Sequence, residues 1–339
     1  MAEGRLPGAP LVLEGQSADI PATWEATLAD LVRRPPRRTL VLGASDRGKS
    51  TFCRLLLRRL HAAGAPAALV DADIGQKDLG PPASIALGVL DPGSAPAVYP
   101  QAAYFVGTVS PGGQFLPLIV GTRNLAEATA RPTVINTPGT IQGPGRILQS
   151  FQLESLRPDA VVVLQRGEEA AALRVAAAGR QVHRLPPSPA ARSRSPGERR
   201  RNRERAFRAY FREARRIDLP LAALVFRRCL LFSGRPRAPG AHLHAEDTAE
   251  GRLVVGGPRP GRAGAGWLPA GFERDLLCGV DNRAPEALGM ARLQAIDFAR
   301  GRITLLTPVP PESVAGLTLG ALYVAGDGRE LPHRRPRAL

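Results

Sequence analysis

The stretch Gly43-Ala-Ser-Asp-Arg-Gly48-Lys49-Ser50-Thr51 constrains this chain more than any other. It satisfies G-x-x-x-x-G-K-[ST] in full, the pattern of a loop that wraps phosphates with backbone N–H groups. Gly43 and Gly48 supply the conformations and the clearance, and the following helix aims its positive end at the anion. Such a loop must follow a strand and open a helix. "TLVLG" reads as a buried strand and "STFCRLLLRRLHAAG" as a helix closed by Gly64, so the context is met. In this cradle Ser45, Asp46 and Arg47 lie between the glycines and face the nucleotide. Lys49 reaches the β- and γ-phosphates, and Ser50 ligates Mg²⁺ with Thr51 in support. Composition singles out the same lysine: of 46 Lys+Arg residues, only Lys49 and Lys77 are lysine. A compact ammonium does what a planar guanidinium cannot.

From Arg38 onward strands alternate with helices. "AALVDAD", "AAYFVG", "PTVINTPG", "DAVVVLQ" and "RQVHRLP" read as strands, and "TRNLAEATAR", "GRILQSFQLESL" and "EEAAALRVAAAG" as helices. This alternation predicts an α/β fold of the P-loop NTPase kind, a parallel sheet with helices on both faces. Ligands of such sheets sit beyond the carboxyl ends of the strands. At Pro186 the composition changes to a Pro/Ser linker and then a basic helix; residues 192–216 hold 11 Arg and 3 Glu. From Asp218 short apolar runs split by Gly and Pro predict a small β-domain. The expected organisation is a short N-terminal segment (1–36), a P-loop core (37–217) with its lid at 186–216, and a C-terminal β-domain (218–339).

The net charge of +16 favours a polyanionic partner, nucleic acid ahead of a membrane surface. No apolar run approaches 18 residues and the N-terminus lacks an apolar signal core, so a cytoplasmic protein is expected. Cys53, Cys229 and Cys278 form no CxxC pair, which argues against a disulfide framework or a zinc site.

Asp71 and Asp73 close the second strand, where alternation puts both on one face. Both are candidate Mg²⁺ ligands, and Asp73 is favoured as the base that takes a proton from an attacking hydroxyl. Gln76 lies just beyond, within reach of the phosphates or the acceptor. Ser110 and Gln114 are candidates for the acceptor cleft. Phosphoryl transfer spreads charge over the equatorial oxygens, and an arginine delivered from a mobile segment stabilises it. Arg199 and Arg203 stand four apart on one helix face, and Arg194 precedes the helix. Phe207, Tyr210 and Phe211 read as packing residues.

The pair "GASDRGKST" and "VDADIGQKDLGPPASIALG" resembles the polynucleotide 5′-hydroxyl kinase family of RNA processing. That family includes a subunit of the pre-mRNA cleavage factor, ribosomal-RNA processing kinases, and archaeal and bacterial relatives. "FVGTVSPGGQFLPLIVG" resembles its Ser-Pro segment, "VINTPGTIQGPGRILQSFQLESLRPDAVVVL" its clasp, and "RSRSPGERRRNRERAFRAYF" its lid. The resemblance implies an enzyme of bacterial or archaeal type that transfers the γ-phosphate of ATP to the 5′-hydroxyl of RNA or DNA. By position, Lys49, Ser50 and Thr51 would bind phosphates and Mg²⁺, and Asp73 would activate the hydroxyl. Thr137 and Gly139 would grip the nucleic-acid end, and the lid arginines would neutralise the migrating phosphoryl group. The chain departs from the pattern at Asn136, where an acid is common, and at Thr140, where a bulky apolar residue is common. Those departures motivate one alternative, an assembly factor that binds ATP and RNA without phosphotransfer; a third reading is a simple NTPase acting as a switch.

Overall fold

The computed structural model describes residues 9–13, 20–188, 191–238, 240–261, 265–284 and 286–332. Two compact units result, Met1–Arg203 and Glu204–Leu339. The division falls inside a helix, upstream of Asp218, the expected start of the β-domain.

The first unit contains, in chain order, β1 (Leu11–Val12), α1 (Ala22–Arg33), β2 (Arg38–Gly43), α2 (Lys49–Ala62), β3 (Ala67–Asp71), β4 (Ser84–Leu90), β5 (Ala97–Phe105), α3 (Phe115–Glu127), β6 (Thr133–Asn136), α4 (Pro144–Leu156), β7 (Ala160–Leu164), α5 (Ala171–Ala176), β8 (Gln181–Leu185) and the start of α6 (Pro196–Tyr210). Strands β3, β6, β2, β7 and β8 are parallel neighbours in that order. In β3, β6, β2 and β7 short, mostly apolar runs buried on both faces are what a helix-covered parallel sheet requires, while β8 at the edge is largely exposed. Helices α1 and α2 cover one face, with Trp24, Leu28, Phe52 and Leu56 against Val41, Leu69 and Val162. Helices α3, α4 and α5 cover the other, with Leu118, Leu148 and Leu173 in the core that includes Leu40, Val70 and Val161. The P-loop α/β architecture is therefore present.

The sheet is not wholly parallel, however. β4 pairs antiparallel with β3, β5 with β4, and β1 with β5. "AAYFVG" belongs to β5 and is no third parallel strand. The links 72–83 and 91–96 contain no helix to carry the chain back across the sheet, so direction must reverse. Helix α3 also begins at Phe115, earlier than the spacing of "TRNLAEATAR" suggested.

Helix α6 starts with a capping box: the Ser195 hydroxyl accepts from the Glu198 N–H at 3.2 Å, and the Glu198 carboxylate accepts from the Ser195 N–H at 2.7 Å. Pro196 takes the first helical position, where its missing N–H leaves nothing unpaired.

The second unit is built from β9 (Arg215–Pro220), β10 (Val225–Arg227), β11 (Arg235–Pro236), β12 (His244–Thr248), β13 (Gly251–Val255), β14 (Ala265–Leu268), β15 (Leu276–Asp281), β16 (Ala287–Asp297), β17 (Arg302–Thr307) and β18 (Gly316–Tyr323). One sheet runs β10-β18-β15-β16-β17-β9 and the other β11-β12-β13-β14. Leu253, Val255 and Leu268 share a core with Leu276, Val280, Leu293 and Leu305. Phe207 and Phe211 are buried, and the Tyr210 hydroxyl accepts from the Met290 N–H at 2.7 Å, so these aromatics pack. Among the described residues, no helix is long and apolar enough to cross a membrane.

Candidate active site

The register of the parallel strands assembles the site. Asn136 lies opposite both Val41 and Asp71, so the ends of β2, β6 and β3 converge. The loop after β2 then turns into α2. Gly48 caps that helix with φ +93°, in the left-handed region where a side chain is strained, and a Cβ there would lie 3.0 Å from the Trp24 ring. Asp46 also has positive φ (58°), which a short polar residue tolerates. Arg47 grips Glu169 through two hydrogen bonds, at 2.7 and 2.8 Å, and ties the loop to the segment before α5.

Lys49 is buried, with 6% exposure, and its Nζ donates to the Ala44 carbonyl at 2.9 Å. Burial pushes its pKa down, and the nearby Asp73 opposes that shift. Ser45 is exposed and packs on Gly139: a Cβ at Gly139 would come 2.7 Å from the Ser45 Cα. Ser50 Oγ lies 3.4 Å from the Asn136 amide nitrogen, while Thr51 is exposed.

Strand β3 ends at Asp71, so Asp73 is placed by a turn and not by strand alternation. Its Oδ1 accepts the Gly75 and Gln76 N–H groups, both at 3.1 Å. Burial pushes the Asp73 pKa up, Lys49 pulls it down, and Asp71 adds to the rise. Gly75 is required here, because a Cβ would meet the Val109 carbonyl at 2.7 Å. That approach brings the Thr108–Ser110 loop to the turn, with Ser110 exposed. Gln76 Nε2 donates to its neighbour Gly75 O at 2.6 Å and to Arg199 O at 3.2 Å.

The basic arm meets the loop through Asp46. Its Oδ2 accepts from Arg199 Nη2 at 2.6 Å and from the Arg194 backbone N–H at 3.0 Å. Burial pushes the Asp46 pKa up, but the Arg194 N–H and the Arg199 guanidinium outweigh it and leave it lowered. The Nε of Arg199 is buried with no hydrogen-bond partner, a donor left over for an anion. Arg203 stands one turn further along α6, partly buried. Thr137 is fully buried and its hydroxyl donates to Val41 O at 2.7 Å, so its side chain braces the sheet end. Gly139 and exposed Thr140 follow it at the surface.

Four residues at this site escape sequence reasoning. Trp24 packs edge-on to Phe52 with ring centroids 5.4 Å apart, under Gly48, and its indole N–H donates to Pro186 O at 2.8 Å. Its only signal is the Trp24–Leu28–Leu31 helical spacing. Glu169 gives no signal at all. Lys77 and Asp78 surround the end of β3: Lys77 Nζ lies 3.5 Å from Asp71 Oδ2, and the Asp78 N–H donates to the same oxygen at 2.9 Å. The rarity of lysine was the one available hint for Lys77.

Among the described residues no three His, Cys, Asp or Glu side chains are grouped to hold a metal alone. The site nonetheless suits Mg²⁺, which takes one or two protein oxygens and completes its shell with phosphates and water. Beside Ser50, the carbonyl oxygen of buried Asn136 lacks any partner.

The sequence profile of the mRNA cleavage and polyadenylation factor CLP1 P-loop matches residues 43–213. The chain is 32% identical to a polyribonucleotide 5′-hydroxyl-kinase of Pyrococcus furiosus, over 92% of this chain and 95% of that protein. A polyribonucleotide 5′-hydroxyl-kinase of Pyrococcus horikoshii is 28% identical over 88% and 89%. The Clp1 polyribonucleotide 5′-hydroxyl-kinase of Xenopus laevis is 29% identical over 80% of this chain and 67% of its own. Among solved structures, wild-type Clp1p in complex with Pcf11p (454–563) superposes with a TM-score of 0.58 at 14% identity, covering 88% of this chain and 77% of that one.

Proposed function

This chain belongs to the CLP1 P-loop family, and from that premise we propose that it is an ATP-dependent polynucleotide 5′-hydroxyl kinase acting on RNA or DNA ends. The loop 43–51 takes the triphosphate, its backbone N–H groups and the α2 N-terminus facing the phosphates. Lys49 exchanges the Ala44 carbonyl for phosphate oxygens. Ser50 and Asp73 would hold Mg²⁺, with the unpartnered Asn136 carbonyl oxygen beside Ser50 and Asp71 bracing from behind. When bound, Mg²⁺ neutralises charge on the β- and γ-phosphates.

The 5′-hydroxyl enters between the Asp73 turn, the Ser110 loop and the Gly139 segment. Asp73 accepts its proton as the oxygen attacks the γ-phosphorus; the bond to the β-bridging oxygen breaks and ADP leaves. Arg199 supplies charge to the migrating phosphoryl group from α6, with Arg203 and Arg194 as auxiliary cations for phosphate. The lid reading of residues 186–216 belongs to this proposal, as does a cytoplasmic location, where ATP and free RNA ends meet. Pro189 and Ala190 in its linker lie outside the described residues.

One observation carries the reading: a lid arginine stands against the phosphate-binding loop with an N–H to spare. The deciding experiment incubates the protein with γ-labelled ATP and a 5′-hydroxyl oligonucleotide. Label on the oligonucleotide is expected. Free phosphate alone would make the protein an NTPase switch, and nucleotide binding with neither product would make it an assembly factor.

A further inference from the structure

Helix α4 carries a buried amide that the chemistry above does not use. We propose that Gln149 is the positioning residue for the Pro138–Thr140 segment. It fixes how that segment sits on the phosphate-binding loop, and so how the nucleic-acid end is received. The inference rests on the kinase reading only for the identity of what the segment receives.

The segment is an arch between two anchors. At its start Asn136 ends β6, in register with Val41 and Asp71. At its finish Ile141 enters the core that holds Leu118 and Leu148. Between them Gly139 is half-buried and Thr140 is exposed. On one side the arch rests on the P-loop: a Cβ at Gly139 would lie 2.7 Å from both the backbone nitrogen and the Cα of Ser45. On the other side it meets α4: a Cβ at Gly145 would lie 2.7 Å from the Thr140 carbonyl oxygen. Gly145 and Gln149 stand four apart, on one face of the helix. The glycine gives the arch its clearance, and the amide holds it.

The Gln149 side chain is 0% exposed. Its Nε2 donates to the Pro138 carbonyl at 3.0 Å and to the Thr140 carbonyl at 3.4 Å. An amide nitrogen has two protons, one for each acceptor. A single side chain thus fixes the carbonyls on both sides of the glycine that lies on Ser45. Packing does not account for an amide at this position. Gln149 Oε1 is buried with no hydrogen-bond partner among the described residues, a penalty that an aliphatic side chain of similar size would avoid. What the aliphatic side chain would lack is the pair of donors. The triphosphate meets the N–H groups of the P-loop itself, whereas the acceptor enters beside Gly139. Loss of the hold should therefore fall on the acceptor.

The test measures phosphotransfer with a 5′-hydroxyl oligonucleotide varied at saturating ATP, and with ATP varied at saturating oligonucleotide. Gln149→Leu should raise the KM for the oligonucleotide about 10-fold, roughly the net worth of one hydrogen bond, and leave the KM for ATP within about twofold. In parallel, hydrogen–deuterium exchange of the amides at 139–142 should quicken about 10-fold in the variant, with β6 and the remainder of α4 unchanged. An unchanged oligonucleotide KM would overturn the proposal, as would wild-type exchange at 139–142. An equal rise in both KM values, or exchange that quickens throughout β6 and α4, would reduce Gln149 to a core residue and overturn it too. A wild-type protein that transfers no phosphate would refute the kinase reading, while exchange at 139–142 would still decide whether Gln149 holds the arch.

Discussion

The guanidinium of Arg199 lies 2.6 Å from the carboxylate of Asp46, joining the basic arm to the middle of the phosphate-binding loop. Asp46 also takes the Arg194 N–H, so one side chain docks two points of the arm. An incoming γ-phosphate would compete with Asp46 for the same guanidinium. Arg199→Ala should lower kcat for phosphotransfer by about 10³-fold, the lower end for an arginine that stabilises transferring phosphoryl charge, with a smaller change in the KM for ATP. Initial rates with labelled ATP measure this, and an unchanged kcat would reduce Arg199 to a latch.

Lys49 should tolerate no substitute. Its ammonium is buried in a slot against the Ala44 carbonyl. Lys49→Ala should lower kcat/KM by at least about 10²-fold, through lost charge at the phosphates. Lys49→Arg should fail to rescue, because the wider planar guanidinium does not fit where the slim stem passes. Nucleotide binding and transfer assays on both variants decide it.

The acid limb of the pH–rate profile should report Asp73. In the free protein, the state whose ionisation kcat/KM reports, burial raises its pKa above the ordinary value of 3.8. A base must be ionised to accept a proton, so kcat/KM should climb with rising pH through that raised value and level off above it. Asp73→Asn should abolish the limb along with most of the rate. A limb retained in Asp73→Asn would assign it to another group.

Lys77 and Asp71 form a buried pair, and removing one partner strands the other. Lys77→Met should destabilise the first unit by about 3–5 kcal/mol, read as a shift in the denaturant midpoint. Adding Asp71→Asn removes the stranded charge and should recover part of the loss. A single variant as stable as wild type would show that water reaches Asp71.

Gly139 allows its segment to lie on the P-loop, with no room for a methyl group beside Ser45. Gly139→Ala should weaken ATP binding by displacing Ser45, whereas Gly143→Ala, whose Cβ would meet nothing within 4 Å, tests the strain of its φ of +52° alone. Calorimetric titration of both variants separates contact from conformation.

The P-loop, its flanking strand and helix, and the basic arm were legible because each is a local pattern: glycine spacing, apolar periodicity, a run of arginines. Strand β4 was missed although "SIALGVL" is a continuous apolar run, because periodicity alone cannot separate a doubly buried strand from a helix turn. Asp73 was named for the wrong geometric reason, since the strand stops two residues before it and an Asx-type turn orients it. The resemblance places Thr137 in the clasp, and its hydroxyl donates to the Val41 carbonyl, a contact that no local pattern in the sequence announces. Lys77, Asp78 and Glu169 act through a fold-back of aperiodic loops, and no spacing rule reaches across such a return.

Trp24 touches both the glycine that caps α2 and the carbonyl at the root of the arm's linker. The chain's other tryptophan, Trp267, lies in the second unit. The first unit thus carries a single indole fluorophore, seated where triphosphate docking and arm movement would both alter its surroundings. Emission from an unlabelled sample, with Trp267→Phe silencing the background, can therefore follow each turnover in real time.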